Sequence, residues 1–177
     1  ATVLSAQCTD AMVNRVTPAL FARYPAPADL ARADQGELED LIHSTGFFRA
    51  KARNLRALSA RLSAEHGGDV PDSMDALTAL PGVGRKTAGV VLSACFGAQA
   101  IIVDTHFLRV SNRLGFTGSA DPLRVERDLA ALIAPERWTE ASHVLNRHGR
   151  SVCAARRPRC GACPVSELCP SAYSSDQ

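Results

Sequence analysis

The chain has 177 residues, 46% of them hydrophobic and only 5% aromatic, so one domain or two small ones must pack around alanine, leucine and valine. That balance favours helices over a β-sandwich. With no apolar run long enough to span a bilayer and no signal peptide visible, the pattern excludes a membrane protein and predicts a soluble, intracellular one.

Residues 1–5 read as the inside of an apolar segment with no cap before them, so residue 1 is expected not to be the natural start. Residues 37–43 have helical spacing. Residues 49–65 are amphipathic, with Leu55, Leu58 and Leu62 on one face, and stop at Gly67-Gly68. Asp72 is placed to cap a helix that runs through Met74, Leu77 and Leu80 and ends at Pro81. Arg85–Phe96 is apolar almost all round and predicts a buried central helix closed by Gly97. Residues 104–114 form the next helix, stopping at Gly115. Asp121-Pro122 is a cap and first-turn proline for a helix with Leu123, Leu129 and Leu132 inward. Thr139 begins another helix, ending near Gly149. The reading is a nearly all-helical protein of about nine or ten helices at ordinary lengths, with residues 171–177 expected to fray.

Net charge is only +2, so its distribution carries more than its sum. Residues 41–64, 76–103 and 141–166 hold basic side chains and no acid. Such segregation suits a face that meets polyphosphate, or else ordinary solvated helix faces. Of the 20 basic residues, 18 are arginine and two are lysine, Lys51 and Lys86. Codon preference explains that ratio but not the position of Lys86. Arginine stays protonated, whereas a desolvated lysine amine can attack carbon.

Four of the six cysteines, Cys153, Cys160, Cys163 and Cys169, lie in a C-x6-C-x2-C-x5-C tail. Disulfides are disfavoured in a reduced compartment. Zinc sites commonly show two close pairs, and only one pair here is close. Iron–sulfur clusters take four thiolates at irregular spacing. The spacing predicts a metal site and leaves the metal open. Binding both ends of the first loop would hold Arg156, Arg157 and Arg159 on a short rigid segment, suited to phosphates. Cys8 and Cys95, in apolar stretches, read as packing residues.

Lys86 lies in Leu80-Pro81-Gly82-Val83-Gly84-Arg85-Lys86-Thr87-Ala88, a glycine-punctuated turn opening a helix. Gly82 and Gly84 are expected to adopt conformations closed to other residues and to bring first-turn N–H groups close to an anion. A plain helix connection reads the same way. Downstream, Ile101-Ile102-Val103-Asp104-Thr105-His106 delivers one carboxylate to a helix start, as a cap or as a catalytic group.

These motifs together resemble endonuclease III, a family of DNA glycosylases with AP-lyase activity in the helix-hairpin-helix, Gly/Pro-then-Asp superfamily. Leu4-Ser5-Ala6-Gln7-Cys8-Thr9-Asp10, Gly149-Arg150 and Arg157-Pro158-Arg159-Cys160 agree with it as well. The resemblance spans the chain. It implies an all-α protein of two helical domains flanking a DNA-binding cleft. Residues 1–98 would be a six-helix barrel with the hairpin near 77–90, and residues 99–177 an iron–sulfur domain. Cys153, Cys160, Cys163 and Cys169 would hold a [4Fe–4S] cluster. Lys86 would be the nucleophile at C1′, forming an imine that leads to β-elimination, and Asp104 would stabilise positive charge on the sugar. Gly82, Gly84, Arg85, Thr87, His106, Arg156, Arg157 and Arg159 would contact DNA, Gln7 would fill the vacated stack, and Phe47 would be the wedge. The partner would be duplex DNA with damaged pyrimidines or abasic sites, bound by a monomer in the bacterial cytoplasm at the nucleoid, with no membrane. Two departures stand out: the family commonly has an aliphatic wedge where Phe47 stands, and close relatives carry an acid at Thr78. Adenine-mismatch glycosylases typically lack the lysine, and the 8-oxoguanine branch lacks the cluster. A catalytically silent DNA-binding module with a zinc-stapled tail is the reading from another class.

Overall fold

The computed structural model describes residues 1–174; Ser175, Asp176 and Gln177, the end of the tail expected to fray, lie outside the described residues. Among the described residues are nine α-helices, several short 3₁₀ turns and no strand. No helix among them is long and apolar enough to cross a membrane. The chain divides into two compact units, Ala1–Val91 and Leu92–Gln177. The division falls inside the helix at Arg85–Phe96; the boundary after residue 98 is what the resemblance implies.

In the first unit the apolar spacing builds the core directly. α1 (Asp10–Arg23) starts at Thr9, whose hydroxyl accepts from the Met12 N–H at 3.3 Å. Its Val13, Val16 and Leu20 recur at helical spacing and are buried. α2 (Pro27–Ala31) and α3 (Gln35–Ile42) follow, the latter capped by Asp34. α4 (Phe48–Glu65) lays Ala52 and Leu55 against that core, with Leu58 half-buried on it, and also buries Leu62. α4 ends as expected: Gly67 and Gly68 have φ of 63° and 93°, and the Gly68 N–H donates to Leu62 O at 2.9 Å. α5 (Met74–Ala79) is capped by Ser73, which accepts from the Ala76 N–H at 3.3 Å, and not by Asp72. A cap must sit one residue before the first helical φ/ψ pair, and Asp72 is one residue too early.

α6 (Arg85–Phe96) corrects the expectation of a buried central helix. Ala88, Gly89 and Leu92 are buried, but Ala94, Cys95 and Phe96 are exposed. Its apolar content is largely small residues, which cost little at the surface. Cys95 is therefore not the packing residue it reads as; Cys8 does lie against the core.

The second unit packs α7 (Thr105–Arg113), α8 (Pro122–Leu132) and α9 (Trp138–Ser151) around Phe107, Val110, Val125, Leu129 and Leu145. Phe107 has no exposed surface, and burial of such a ring contributes about 1.5–3 kcal/mol. The inward face of α8 is Val125 and Leu129; Leu123 and Leu132, expected inward, are exposed. Leu123 lies six residues before Leu129, roughly 240° around a helix of 3.6 residues per turn, so one face cannot take both. α9 begins at Trp138, whose indole N–H donates to Ile133 O at 2.9 Å, and Thr139 serves a different purpose.

Candidate active site and metal centre

The turn between α5 and α6 is built by two glycines with unlike roles. Gly82 has φ of 76°, and a Cβ there would stand 2.9 Å from Asn54 Cβ on α4. Gly84 is not left-handed, and a Cβ there would meet nothing within 4 Å. The forbidden-conformation argument holds for Gly82 alone. Gly84 O accepts from the Ala88 N–H at 2.9 Å and so opens α6. The first-turn amides of a helix have no intrahelical acceptor and form a site for an anion. Lys86 and Arg85 are exposed there, and Thr87 is half-buried.

The other lysine has a different fate. Lys51 is 5% exposed, and its Nζ donates to Leu4 O and to Thr45 O, each at 2.8 Å. Burial pushes its pKa down, offset in part by the nearby Cys8. The acid-free stretch 41–64 is not an open cationic face. Arg61 pairs with Glu65 at 2.7 Å, Arg49 approaches Glu39 at 3.9 Å, and Arg56 donates to Gln35 at 3.3 Å.

Asp104 caps α7, and each of its carboxylate oxygens accepts one hydrogen bond. Its Oδ1 accepts from the Phe107 N–H at 2.8 Å, and its Oδ2 accepts from Asn146 Nδ2. The extended segment leading to it has no strand partner, so its amides need side-chain acceptors. α9 supplies them. The Ala100 N–H donates to Thr139 Oγ1 at 3.2 Å, and the Ile102 N–H donates to Ser142 Oγ at 2.9 Å. Thr139, Ser142, Asn146 and Gly149 form one stripe along α9. At Gly149 a Cβ would stand 2.9 Å from His106 Cβ and 3.1 Å from Val110 Cγ2, so only glycine permits this crossing of α7 and α9. His106 Nδ1 lies 3.2 Å from Arg109 Nη2.

The four tail cysteines line one pocket that is partly open to solvent. Among the described residues no three His, Cys, Asp or Glu are grouped as ligands of a metal ion; the thiols instead stand around the cavity wall. Four soft thiols with apolar Val110, Leu114 and Val165 between them fit an iron–sulfur group. Two arginines one turn apart on α7 hold this region. Arg109 donates to Gly149 O at 2.9 Å and to Cys153 O at 3.1 Å. Arg113 donates to Ala154 O at 2.7 Å, Ala155 O at 3.0 Å and Cys153 Sγ at 3.3 Å. His148 Nε2 lies 3.7 Å from Cys163 Sγ. Arg156, Arg157 and Arg159 are exposed on the first inter-cysteine loop, with Arg159 donating to Ser151 O.

Residues 1–135 match the model of the HhH-GPD superfamily base excision DNA repair proteins, and residues 153–169 match the iron-sulfur binding domain of endonuclease III. The chain is 54% identical over 176 residues to Endonuclease III of Synechocystis sp., covering 99% of this chain and 80% of that protein. It is 47% identical to Endonuclease III of Bacillus subtilis, covering 100% of this chain and 81% of that one. It belongs to the endonuclease III family.

A solved structure described as a trapped endonuclease III–DNA covalent intermediate superposes with a TM-score of 0.92 at 47% identity, covering 97% of this chain and 81% of that one. The all-helical architecture is that of endonuclease III. Within it, this chain's Phe47 is 67% exposed and left-handed, with φ of 48°. Gln7 is also exposed and left-handed, with φ of 50°. The Thr78 hydroxyl turns onto its own helix, donating to Met74 O at 2.8 Å. Sequence reasoning missed the groups that hold the candidate site residues: Asn146, Ser142 and Thr139 for the Asp104 segment, and Arg109 and Arg113 for the cysteine tail. The α9 stripe was legible as polar residues three and four apart. The arginines were not, because each meets backbone carbonyls some forty residues away.

Proposed function

We infer that the protein is a base-excision repair DNA glycosylase and AP lyase that removes oxidised pyrimidines from duplex DNA and cuts the strand by β-elimination. The observation that carries this reading is the unequal fate of the two lysines. Lys51 is committed to two backbone carbonyls, whereas Lys86 stands exposed at a helix start suited to phosphate.

A damaged nucleotide must leave the stack before its sugar can be reached. The neutral Lys86 amine then attacks C1′, the C1′–N bond breaks, and the base departs with a proton. The C1′–O4′ bond then opens as O4′ takes a proton, and the resulting iminium acidifies C2′–H; loss of that proton and breakage of the C3′–O3′ bond, with the 3′ phosphate leaving, cut the strand. Water later hydrolyses the imine and frees Lys86. Asp104, held by the Phe107 amide and Asn146, places its carboxylate against the positive charge that develops on the sugar. Gly82, Gly84, Arg85, Thr87 and His106, with Arg156, Arg157 and Arg159, hold phosphates. Gln7 and Phe47 enter the duplex where the nucleotide has left. Cys153, Cys160, Cys163 and Cys169 would hold a [4Fe–4S] cluster that stabilises a segment too short for its own core. The protein acts as a monomer on bacterial nucleoid DNA.

Borohydride trapping on an abasic duplex tests this. The parent protein forms a covalent adduct, and Lys86→Ala forms none while still binding the duplex. An undiminished adduct from Lys86→Ala would overturn the assignment, since Lys51 is the only other lysine and its amine is engaged. Iron and sulfide analysis of the purified protein checks the cluster type.

A further inference from the structure

Two of the four left-handed non-glycine residues among the described residues lie in the first unit, and both are exposed. Gln7 and Phe47 have φ of 50° and 48°. Such backbone is disfavoured for residues with a Cβ and persists only where the surroundings impose it. One side chain ties both segments down. The Lys51 ammonium donates to Leu4 O, three residues before Gln7, and to Thr45 O, two residues before Phe47. The Lys51 backbone N–H donates to Phe47 O itself at 3.0 Å. Leu4 is fully buried and Thr45 is 2% exposed, so the carbonyls so held are anchored in the core. A buried amine is costly unless hydrogen-bonded, and its two partners come from segments more than forty residues apart in sequence.

We propose that Lys51 is a positioning residue for lesion extrusion: it fastens the segment carrying Gln7 to the segment carrying Phe47, so that both enter the duplex as one preformed unit. The proposal rests on reading Gln7 and Phe47 as duplex-inserting residues. It gives the second lysine a task distinct from chemistry. Its compact ammonium reaches both carbonyls at 2.8 Å from within the core.

The test compares two substrates. One is a duplex with 2-aminopurine opposite a tetrahydrofuran abasic analogue, whose fluorescence reports insertion into the stack. The other is a single-stranded oligonucleotide with a natural abasic site, which needs no insertion. Lys51→Met lowers the rate of the fluorescence change by about tenfold or more, as loss of buried hydrogen bonds predicts. It leaves borohydride trapping of the single strand within about twofold of the parent. Equal losses on both substrates, or an unchanged duplex signal, overturn the proposal. Gln7→Ala and Phe47→Ala separate it from the reading beneath it. If neither slows the duplex signal, the insertion assignment fails; if both do and Lys51→Met does not, the clamp alone fails. Should Lys51→Met not accumulate as folded protein, hydrogen exchange of the parent decides. The Cys8 and Gly46 amides then exchange slowly and together, and exchange of either at an open-loop rate refutes the clamp.

Discussion

Replacing either hairpin glycine by alanine adds the same methyl group, yet the two changes have opposite consequences. At Gly82 the backbone is left-handed, with φ of 76°, and the new Cβ would meet Asn54 Cβ and Nδ2 at 2.9 Å. The conformation costs an L-residue roughly 1–2 kcal/mol. Forcing a methyl group against the Asn54 Cβ, which sits on a helix backbone and cannot swing away, adds about 1–3 kcal/mol. Gly82→Ala is therefore expected to lose about 2–5 kcal/mol from the first unit. At Gly84 neither effect applies, because nothing lies within 4 Å and φ is not positive. Gly84→Ala should change stability by no more than about 1 kcal/mol. Its methyl group would nonetheless stand at the start of α6, where the proposed reading brings a phosphate. The assays are thermal unfolding followed by circular dichroism and binding to a duplex carrying a tetrahydrofuran abasic analogue. Gly84→Ala should melt like the parent and bind about tenfold more weakly, the equivalent of about 1.4 kcal/mol. Parent-like binding by a stable Gly84→Ala would refute the argument that DNA phosphate approaches this backbone.

Asn146→Leu removes the donor to Asp104 Oδ2; single-turnover base release should fall by about ten- to a hundredfold with duplex binding preserved, and an unchanged rate would reduce Asn146 to packing. Arg113→Leu releases Ala154 O, Ala155 O and the Cys153 sulfur together. The expected outcome is faster loss of iron–sulfur absorbance on chelator challenge and nicking by protease between Cys153 and Cys160. Gly149→Ala drives a Cβ to 2.9 Å from His106 Cβ; overpacking of about 1–3 kcal/mol exceeds the roughly 1 kcal/mol helix gain from alanine, so the melting temperature should fall.

Much of this protein is local and was readable without coordinates. Helix ends were legible where one residue type does one job: Gly67-Gly68, Gly115, and Asp121 before Pro122 all stop or start helices as their chemistry requires. The candidate site residues were legible for the same reason. A lone lysine after a Pro-Gly-Val-Gly turn, an aspartate after an apolar run, and four spaced cysteines are all linear signals. Where the linear pattern misled, it left a choice that packing then made. α6 reads as apolar all round, but its last residues are exposed; α8 offers three leucines, and only Leu129 and the neighbouring Val125 go inward.

The amino-acid order alone determined which residues could do chemistry and roughly where each helix begins and ends, because capping, turn formation and thiolate spacing act over a few bonds. Only the tertiary structure decided which polar groups hold those residues in place. The Lys51 amine finds carbonyls at positions 4 and 45, and Arg113 reaches a loop forty residues on. Such pairings depend on distances that folding creates, since a buried donor takes whichever acceptor the packed core leaves within reach.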